Sequence, residues 1–445
     1  MRSHLSNAAY GILDYAAYPI GMLVVAPVAL RNLGLAQYGV WTLAIAAAST
    51  GGIIASGFGD ANIQHVASRR GAGNEAALIA AVRSMMGINL ILGMVFSSIG
   101  WMISPLAAAH MAIGDTQLQQ SCLWSLRVAS LMMTVRAIES VSISTQRAFE
   151  RYGAAVRVSI AVRLIALAVS AGLTFVCHSA TMMVVSTGIL TVAGLWLQLV
   201  HLKHLLSANS LTPMFDREAV HSLLGFGVFS WLQAIAGVVF SQVDRLILGI
   251  SFGAGIVASY ALCAQMAQPI FGFAASGLHF LFPYLSHRLS TSKSASLKSP
   301  LLAAFACNLI VVGIGTVSLL LFGDRILRTW AGAAIAQGAA PVLTMIIWSS
   351  ALLGLNVTAT YALLSLGRVR IVTWFNLAGG AVMLLLMLYL TPRMGIRGIA
   401  IARLAYALIP LFLYIPLLRQ LLSRRPARRN IQSLKEFAEH VEVTS

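Results

Sequence analysis

The chain has 445 residues, of which 58% are hydrophobic and only 10% are charged, and its formal net charge is +17. A soluble domain carries about 25% charged residues. The composition, with a mean hydropathy of +0.84, therefore excludes a soluble protein and predicts a chain that crosses a membrane many times. The positive charge suits a cytoplasmic face that binds anionic lipid, and it does not imply a nucleic-acid partner.

Long apolar runs recur from one end of the chain to the other. About 20 apolar residues, at roughly 1.5 Å each, cross a hydrocarbon core of about 30 Å. The runs lack the alternating pattern of barrel strands, so helices are expected. The first run contains Asp14 and lacks a small-residue cleavage site, so we expect it to be retained as a span. We predict an all-α integral membrane protein with about twelve transmembrane helices, near 8–30, 38–60, 77–103, 119–143, 155–177, 181–202, 221–245, 255–283, 300–322, 341–366, 371–391 and 398–421.

Lysine and arginine are unevenly distributed between the two predicted faces. With a cytoplasmic N-terminus, the cytoplasmic segments hold most of these residues, and the opposite face holds only Arg31, Arg245, Arg325, Arg328, Arg393, Arg397 and Arg403. Loops rich in lysine and arginine remain in the cytoplasm. The charge bias therefore predicts that both termini are cytoplasmic.

A polar interval between Lys203 and His221 separates six predicted spans from six others. Two halves with an even number of helices enter the membrane in the same sense, and we expect a cleft between them. The basic C-terminal tail, 423–445, is predicted either to form a short amphipathic helix on anionic lipid or to be disordered. The predicted parts are two six-helix lobes around a central cavity, with a linker and a cytoplasmic tail: 1–205, 206–220, 221–422 and 423–445.

The first hairpin of each predicted lobe contains a similar glycine turn. Leu33-Gly34 precedes Tyr38 in the first hairpin, and Leu248-Gly249 precedes Tyr260 in the second, where the turn is predicted over 249–255. Internal repeats of this kind are common in transporters. Chance similarity between two apolar stretches is the alternative explanation.

The sequence carries no motif for a metal, a redox centre or a nucleotide. Cys122, Cys177, Cys263 and Cys307 lie in or beside apolar runs and lack CxxC or CxxxH spacing. No GxxxxGK[ST] segment is present, so no ATP-driven pump is indicated. We expect neither a metal nor a cofactor.

Charged residues inside the predicted spans are the candidate functional residues, because a charge in hydrocarbon is costly and usually faces a cavity or a partner. Three acids are too few to pair with every arginine among them. We therefore expect Arg83 and Arg163 to line a central cavity and to bind an anionic group. The set comprises Asp14, Arg83, Arg127, Arg136, Glu139, Arg163, Asp244 and Arg245, with Arg403 near the outer end of the last span.

Structural explanations for these charges remain open. Arg136 and Glu139 are three residues apart on one helix face and could neutralise each other. Arg83 and Arg163 could instead extend toward the membrane surface. Asp14, Asp244 and Glu139 are candidates for ion coupling, since a partly buried carboxylate can take up and release a proton. Asp244 could alternatively form a fixed ion pair with the adjacent Arg245.

Two sets of residues resemble the polysaccharide-exporting flippases of the multidrug/oligosaccharidyl-lipid/polysaccharide exporter superfamily. One set is Arg31-Asn32-Leu33-Gly34, Tyr38-Gly39-Val40-Trp41, Gly57, Ala61 and Arg69-Arg70. The other is Gln242-Val243-Asp244-Arg245-Leu246-Ile247-Leu248-Gly249, Tyr260 and Pro283. The resemblance extends over roughly residues 8–422 and implies two six-helix lobes around a cationic cavity.

The resemblance also implies a function. A flippase of this family would move undecaprenyl-diphosphate-linked oligosaccharide repeat units across the bacterial inner membrane by alternating access, without being an enzyme, for surface or exopolysaccharide synthesis. The implied partners are the polyprenyl-diphosphate-linked glycan, membrane lipid, and the polysaccharide polymerase and export machinery. Guanidinium groups bind phosphate oxygens in pairs, so the residues expected at the anionic group are Arg83, Arg127, Arg136, Arg163 and Arg245.

Other functions are distinguished by features of the sequence. The relative that flips the peptidoglycan precursor has several arginines in its first two spans, whereas this chain has none between Arg2 and Arg31. The main alternative is an ion-coupled exporter of a small solute or drug, and the cationic interior disfavours a drug exporter. A membrane glycan polymerase or transferase would need paired acids and a large outer loop. The predicted outer loop 323–340 is short, and Asp324 is its only acidic residue.

Overall fold

A computed structural model describes residues 2–55, 62, 66, 75–112, 114–149, 152–215, 242–278, 281, 285 and 297–422. Asp14 lies in a helix, but its side chain is outside the described part of the chain. The predicted tail, 423–445, also lies outside it.

The described residues form helices throughout, with short connections and no strand. The helices of the N-terminal half are α1 Arg2–Ala55, α2 Glu75–Met111, α3 Thr116–Ala148, α4 Tyr152–Cys177 and α5 Ala180–Leu205. Residues 242–252 form α6. The remaining helices are α7 Ala254–Gly277, α8 Lys298–Ala331, α9 Ala333–Ser365, α10 Val369–Met394 and α11 Ile396–Leu408, which continues through a 3-10 turn at Ile409–Leu413 into α12 Tyr414–Leu422.

The predicted all-α membrane fold is confirmed. Nine stretches of the described residues are long and apolar enough to cross a membrane. The first of them contains two helices, because Gly34 interrupts α1 with a φ of 77° and a ψ of 168°. With α3, these helices occupy the positions of eleven of the twelve predicted spans. Of the remaining predicted span, 221–245, the structure describes only residues 242–245, which lie in α6.

Helix α3 contains more polar residues than the other membrane helices. Neighbouring helices shield these residues from lipid. Helix α3 packs against α1, α2 and α5. Asn62 donates hydrogen bonds to Ser144 Oγ at 2.7 Å and to Thr145 Oγ1 at 3.0 Å. Gln146 donates to Gln198 Oε1 at 2.6 Å. Hydrogen bonds of this kind hold membrane helices together where hydrophobic association is weak.

Single glycines connect helices at one end of the molecule. Gly34, Gly253 and Gly332 have φ values of 77°, 82° and 87°, a region that side chains with a Cβ rarely adopt. Each is the sole residue between two helical segments. The chain therefore reverses direction there with almost no loop.

The predicted repeat needs one correction. Gly249 was expected to begin the second turn and to correspond to Gly34, but α6 continues through it to residue 252. Gly253 is the residue with the backbone conformation of Gly34, with a ψ of 173° against 168°. Gly249 instead allows close packing, because an added Cβ would lie 2.8 Å from Leu43 Cδ2.

The buried core shows where the two lobes meet. One cluster contains residues of both lobes, including Leu33 and Tyr38 of α1 and Val257 and Tyr260 of α7. At the ends of the helices away from the glycine connections, each lobe has its own cluster. The lobes are thus packed together at the glycine end and have separate cores at the opposite end.

Candidate substrate cavity and buried charges

A pocket opens among α1, α3, α4 and α5, inside the N-terminal lobe. Its cavity volume is about 50 Å³, and it opens to the surroundings. Most of its wall is apolar, and its polar side chains are Tyr18, Arg136, Arg163, Thr187 and Thr191, together with the indole of Trp41. Such a wall, with a few polar groups facing the same space, is typical of a ligand site.

Helical spacing explains why these residues share a wall. Met132 and Arg136 of α3 are four residues apart, and Arg163 and Leu167 of α4 have the same spacing. Residues at this spacing lie on one face of a helix. Because the arginine-bearing faces of α3 and α4 turn toward the same space, the two guanidinium groups belong to one site.

Arg136 is the cation whose environment most resembles a binding site. Its Nε atom is buried and has no hydrogen-bond partner. It interacts electrostatically with Glu139, Arg163 and Tyr18. The interaction with Glu139 is in keeping with the pairing considered from the sequence, but Arg163 opposes it with a like charge. An anion in the pocket would relieve this repulsion.

Arg245 brings a charge from the C-terminal lobe to the same region. It interacts electrostatically with Tyr18 and Tyr38 of α1. Its Nη1 atom donates to Gln242 Oε1 at 3.4 Å, while its Nε atom is buried without a partner. The phenol of Tyr18 therefore lies near cations of both lobes.

Asp244 is paired, but its partner is not the neighbour considered from the sequence. The Asp244 side chain is 1% exposed, and Arg403 Nη1 of α11 donates to its Oδ2 atom. Tyr260 Oη donates to the same oxygen at 2.6 Å, and the backbone N–H of Arg245 donates to Oδ1 at 2.8 Å. The ion pair thus joins residues 159 positions apart, because α6 and α11 meet inside the C-terminal lobe.

The other predicted arginines lie outside this pocket. Arg83 Nε donates to the carbonyl of Thr212 at 2.8 Å and Nη2 to Thr212 Oγ1 at 2.9 Å. Residues after α5 thus bind the Arg83 guanidinium, and Arg83 does not line the pocket of Arg163. A place for Arg83 in a central cavity between the lobes stays a prediction. Arg127 contacts the rings of Trp101 and Trp124. Any contact of either arginine with substrate stays a prediction.

Sequence analysis missed the tyrosines and the partner of Asp244. Tyr18 lines the pocket, and Tyr260 and Arg403 hold the carboxylate. The presence of an aspartate and an unmatched arginine inside predicted spans was a signal for the ion pair. No spacing rule connects α6 with α11, so the pairing itself needed the structure.

Solved transporters share this fold. An inward-facing multidrug resistance MATE family transporter of the MOP superfamily matches with a TM-score of 0.69 at 13% identity, over 96% of this chain and 99% of the other. The lipid II flippase MurJ, in an inward closed conformation, matches with a TM-score of 0.72 at 11% identity, over 93% of this chain and 86% of the other. The MATE multidrug transporter DinF-BH matches with a TM-score of 0.64 at 15% identity, over 96% of both chains. No curated protein matches the chain.

The fold and the cationic pocket define a multi-pass membrane protein with the two-lobe architecture of these transporters. The sequence matches the polysaccharide biosynthesis protein family over residues 6–288. The chain belongs to this family, which confirms the resemblance seen in its motifs.

Proposed function

We propose that the chain is a flippase for an undecaprenyl-diphosphate-linked oligosaccharide repeat unit, in the inner membrane of a bacterium and with both termini cytoplasmic. The observation that carries the proposal is the pocket in which Arg136 and Arg163 face the same space beside Tyr18. A diphosphate would supply negative charge to a space whose described charged side chains are both arginines. Membership of the polysaccharide biosynthesis family supports a glycan as the cargo.

Energetics favour an anionic cargo for this pocket. An arginine at mid-membrane costs about 2.5–3.5 kcal/mol on insertion scales. Among the side chains that the structure describes, the pocket lining contains two arginines and no acidic residue. A bound diphosphate would accept charge-assisted hydrogen bonds from both guanidinium groups. The apolar side chains of the pocket wall would pack against the part of the cargo next to its lipid chain.

The arrangement of the lobes suggests how the cargo would move. At the glycine end the lobes share one core, and at the other end they have separate cores. Under the predicted topology, the separate end faces the cytoplasm, where the lipid-linked unit is made. Transport would then require the shared core to part while the other end closes, which is alternating access.

The test measures glycan export in cells that lack the chromosomal copy. Arg136→Ala and Arg163→Ala, present in the membrane at parental abundance, are expected to abolish surface polysaccharide and to accumulate the lipid-linked unit on the cytoplasmic side. Lysine at either position should restore part of the export, because it keeps the charge and loses the paired hydrogen bonds.

The matched control is Arg157→Ala on the same helix, α4. Arg157 is exposed, and its Nε atom donates to the Gly153 carbonyl at 2.8 Å. Its removal should leave export unchanged. Parental export by both Arg136→Ala and Arg163→Ala would contradict the proposal and favour export of a small solute.

A further inference from the structure

Arg127 lies between two tryptophan rings on the outside of the N-terminal lobe. Its guanidinium carbon is 4.8 Å from the ring centre of Trp101 on α2 and 5.1 Å from that of Trp124 on α3. Both distances are within the range of cation–π attraction. The Nε atom is buried without a hydrogen-bond partner. The rings therefore hold the cation in place without neutralising its charge.

The surface around these rings is apolar and exposed. Trp124 and Leu131 of α3 are 50% and 54% exposed, and Arg127 lies between them at helical spacings of three and four. On α2, Met102 and Leu106 are 79% and 64% exposed. In a membrane-spanning chain, large apolar residues exposed along two adjacent helices face lipid. Arg127 thus lies at the lipid-facing surface.

The depth of the site matches the edge of the hydrocarbon. Helix α2 has 37 residues, and at about 1.5 Å per residue it is roughly 25 Å longer than a 30 Å hydrocarbon core. If this excess is shared equally, the hydrocarbon ends about 13 Å from each end of the helix. Trp101 is ten residues before Met111, the last residue of α2, which is about 15 Å. Tryptophan is enriched at this level, where lipid headgroups begin.

The nearby acids are engaged elsewhere. Asp115 accepts a hydrogen bond from the backbone N–H of Leu118 as the N-cap of α3. Glu139 interacts with Arg136, three turns further along α3. Among the described residues, Arg127 forms no ion pair. A cation at the headgroup level that faces lipid and has no acidic partner among the described side chains would be neutralised by an anion from outside the protein.

We propose that Trp101, Arg127 and Trp124 form a binding site for the phosphate of an anionic phospholipid headgroup. The guanidinium donates to the phosphate oxygens, while the two indoles pack against the glycerol and the first methylene groups of the acyl chains. A membrane lipid is the occupant that this position favours, because the site faces the acyl-chain region and both rings offer apolar surface to it. The site lies outside the pocket of Arg136 and Arg163.

The test measures lipid binding to the purified full chain. The protein, delipidated in detergent, is titrated with phosphatidylglycerol and separately with phosphatidylcholine, and bound lipid is counted by native mass spectrometry. The parental protein should bind one phosphatidylglycerol more tightly than phosphatidylcholine. Arg127→Gln should lower phosphatidylglycerol affinity about fivefold or more, as expected for one basic residue near a membrane surface. Trp124→Leu keeps an apolar side chain and should lower the affinity less.

Arg393→Gln is the matched control. Its guanidinium carbon lies 3.9 Å from the ring centre of Tyr389, but Nη1 already donates to the Tyr389 carbonyl at 2.8 Å. Removal of the Arg393 guanidinium should leave the affinity for the tightly bound phosphatidylglycerol unchanged. Equal phosphatidylglycerol affinity in the parental and Arg127→Gln proteins would overturn the proposal. So would equal affinity for the two lipids, or competition by millimolar inorganic phosphate, which would indicate a site for free anions.

Discussion

The hydroxyl of Tyr38 on α1 donates a hydrogen bond to Oε1 of Gln265 on α7 at 3.0 Å, across the boundary between the two lobes. Tyr38 is fully buried and Gln265 is 7% exposed. Nearby, Arg31 Nη2 donates to the Thr329 carbonyl at 2.8 Å. These contacts join α1 to α7 and α8 at the glycine end. They must break if the lobes are to part there.

Removing the Tyr38 hydroxyl should favour separation of the lobes. A hydrogen bond contributes about 1 kcal/mol, so Tyr38→Phe should raise the ratio of separated to joined lobes about fivefold. In a background whose four native cysteines are replaced by serine, nitroxide labels at His178→Cys and Ala333→Cys, both exposed at the glycine end, would show a larger population with a long distance between the labels. The control is Tyr414→Phe, because Tyr414 donates to Leu355 within the C-terminal lobe. An equal shift in both variants would contradict the role assigned to Tyr38.

Adding a single methyl group at Gly39 should prevent the lobes from joining. A Cβ at this position would lie 1.8 Å from the carbonyl oxygen of Ala254, on α7. Backbone cannot move aside as a flexible side chain can, so Gly39→Ala should populate the separated form and reduce export severalfold. Gly313→Ala is the control, since a Cβ there meets nothing within 4 Å. Parental label distances in Gly39→Ala would show that the two helices can shift without parting.

Breaking the Asp244–Arg403 pair should destabilise the C-terminal lobe. Removing one partner of a buried ion pair leaves an uncompensated charge and typically costs about 3–5 kcal/mol. Asp244→Asn and Arg403→Gln should each lower the melting temperature of the purified protein and its abundance in the membrane. The double variant should recover much of the loss, because neither charge then remains unpaired.

The same variants test the ion-coupling hypothesis for Asp244. If the carboxylate only stabilises the lobe, the double variant should export glycan with the parental dependence on the proton gradient. An abundant double variant that exports without that dependence would instead assign coupling to Asp244. Tyr260→Phe provides a milder comparison, since it removes the 2.6 Å hydrogen bond and leaves the ion pair.

The charge bias of the sequence predicts the orientation of the chain. A cysteine introduced at Ala333, beside Gly332, should react with an impermeant maleimide added outside spheroplasts. A reporter fused after Ser423, which lies outside the described residues, should be active in the cytoplasm. The labelling uses a background in which the four native cysteines are replaced by serine, and the control is that background without the Ala333 substitution. The reverse pattern of labelling and activity would invert the proposed direction of transport.

Local features of the sequence were sufficient for the fold. The length and hydropathy of each run depend on neighbouring residues only, and lipid permits few alternatives to a helix for such a run. The first glycine turn was correctly predicted at Gly34, because a turn between two apolar runs also depends on neighbouring residues only. The second was placed at Gly249 and occurs at Gly253, because one apolar helix can contain a glycine for packing and another for a turn.

The sequence by itself determined an all-α membrane protein of about twelve helices, its family motifs and the set of charges within its predicted spans. The tertiary structure decided which charges meet. It brought Arg136 and Arg163 to one pocket, bound Arg83 to Thr212, and paired Asp244 with Arg403 instead of Arg245. The physical reason is that helix formation is satisfied by bonds between residues a turn apart. The partner of a buried side chain depends on which distant helices pack beside it and at what rotation.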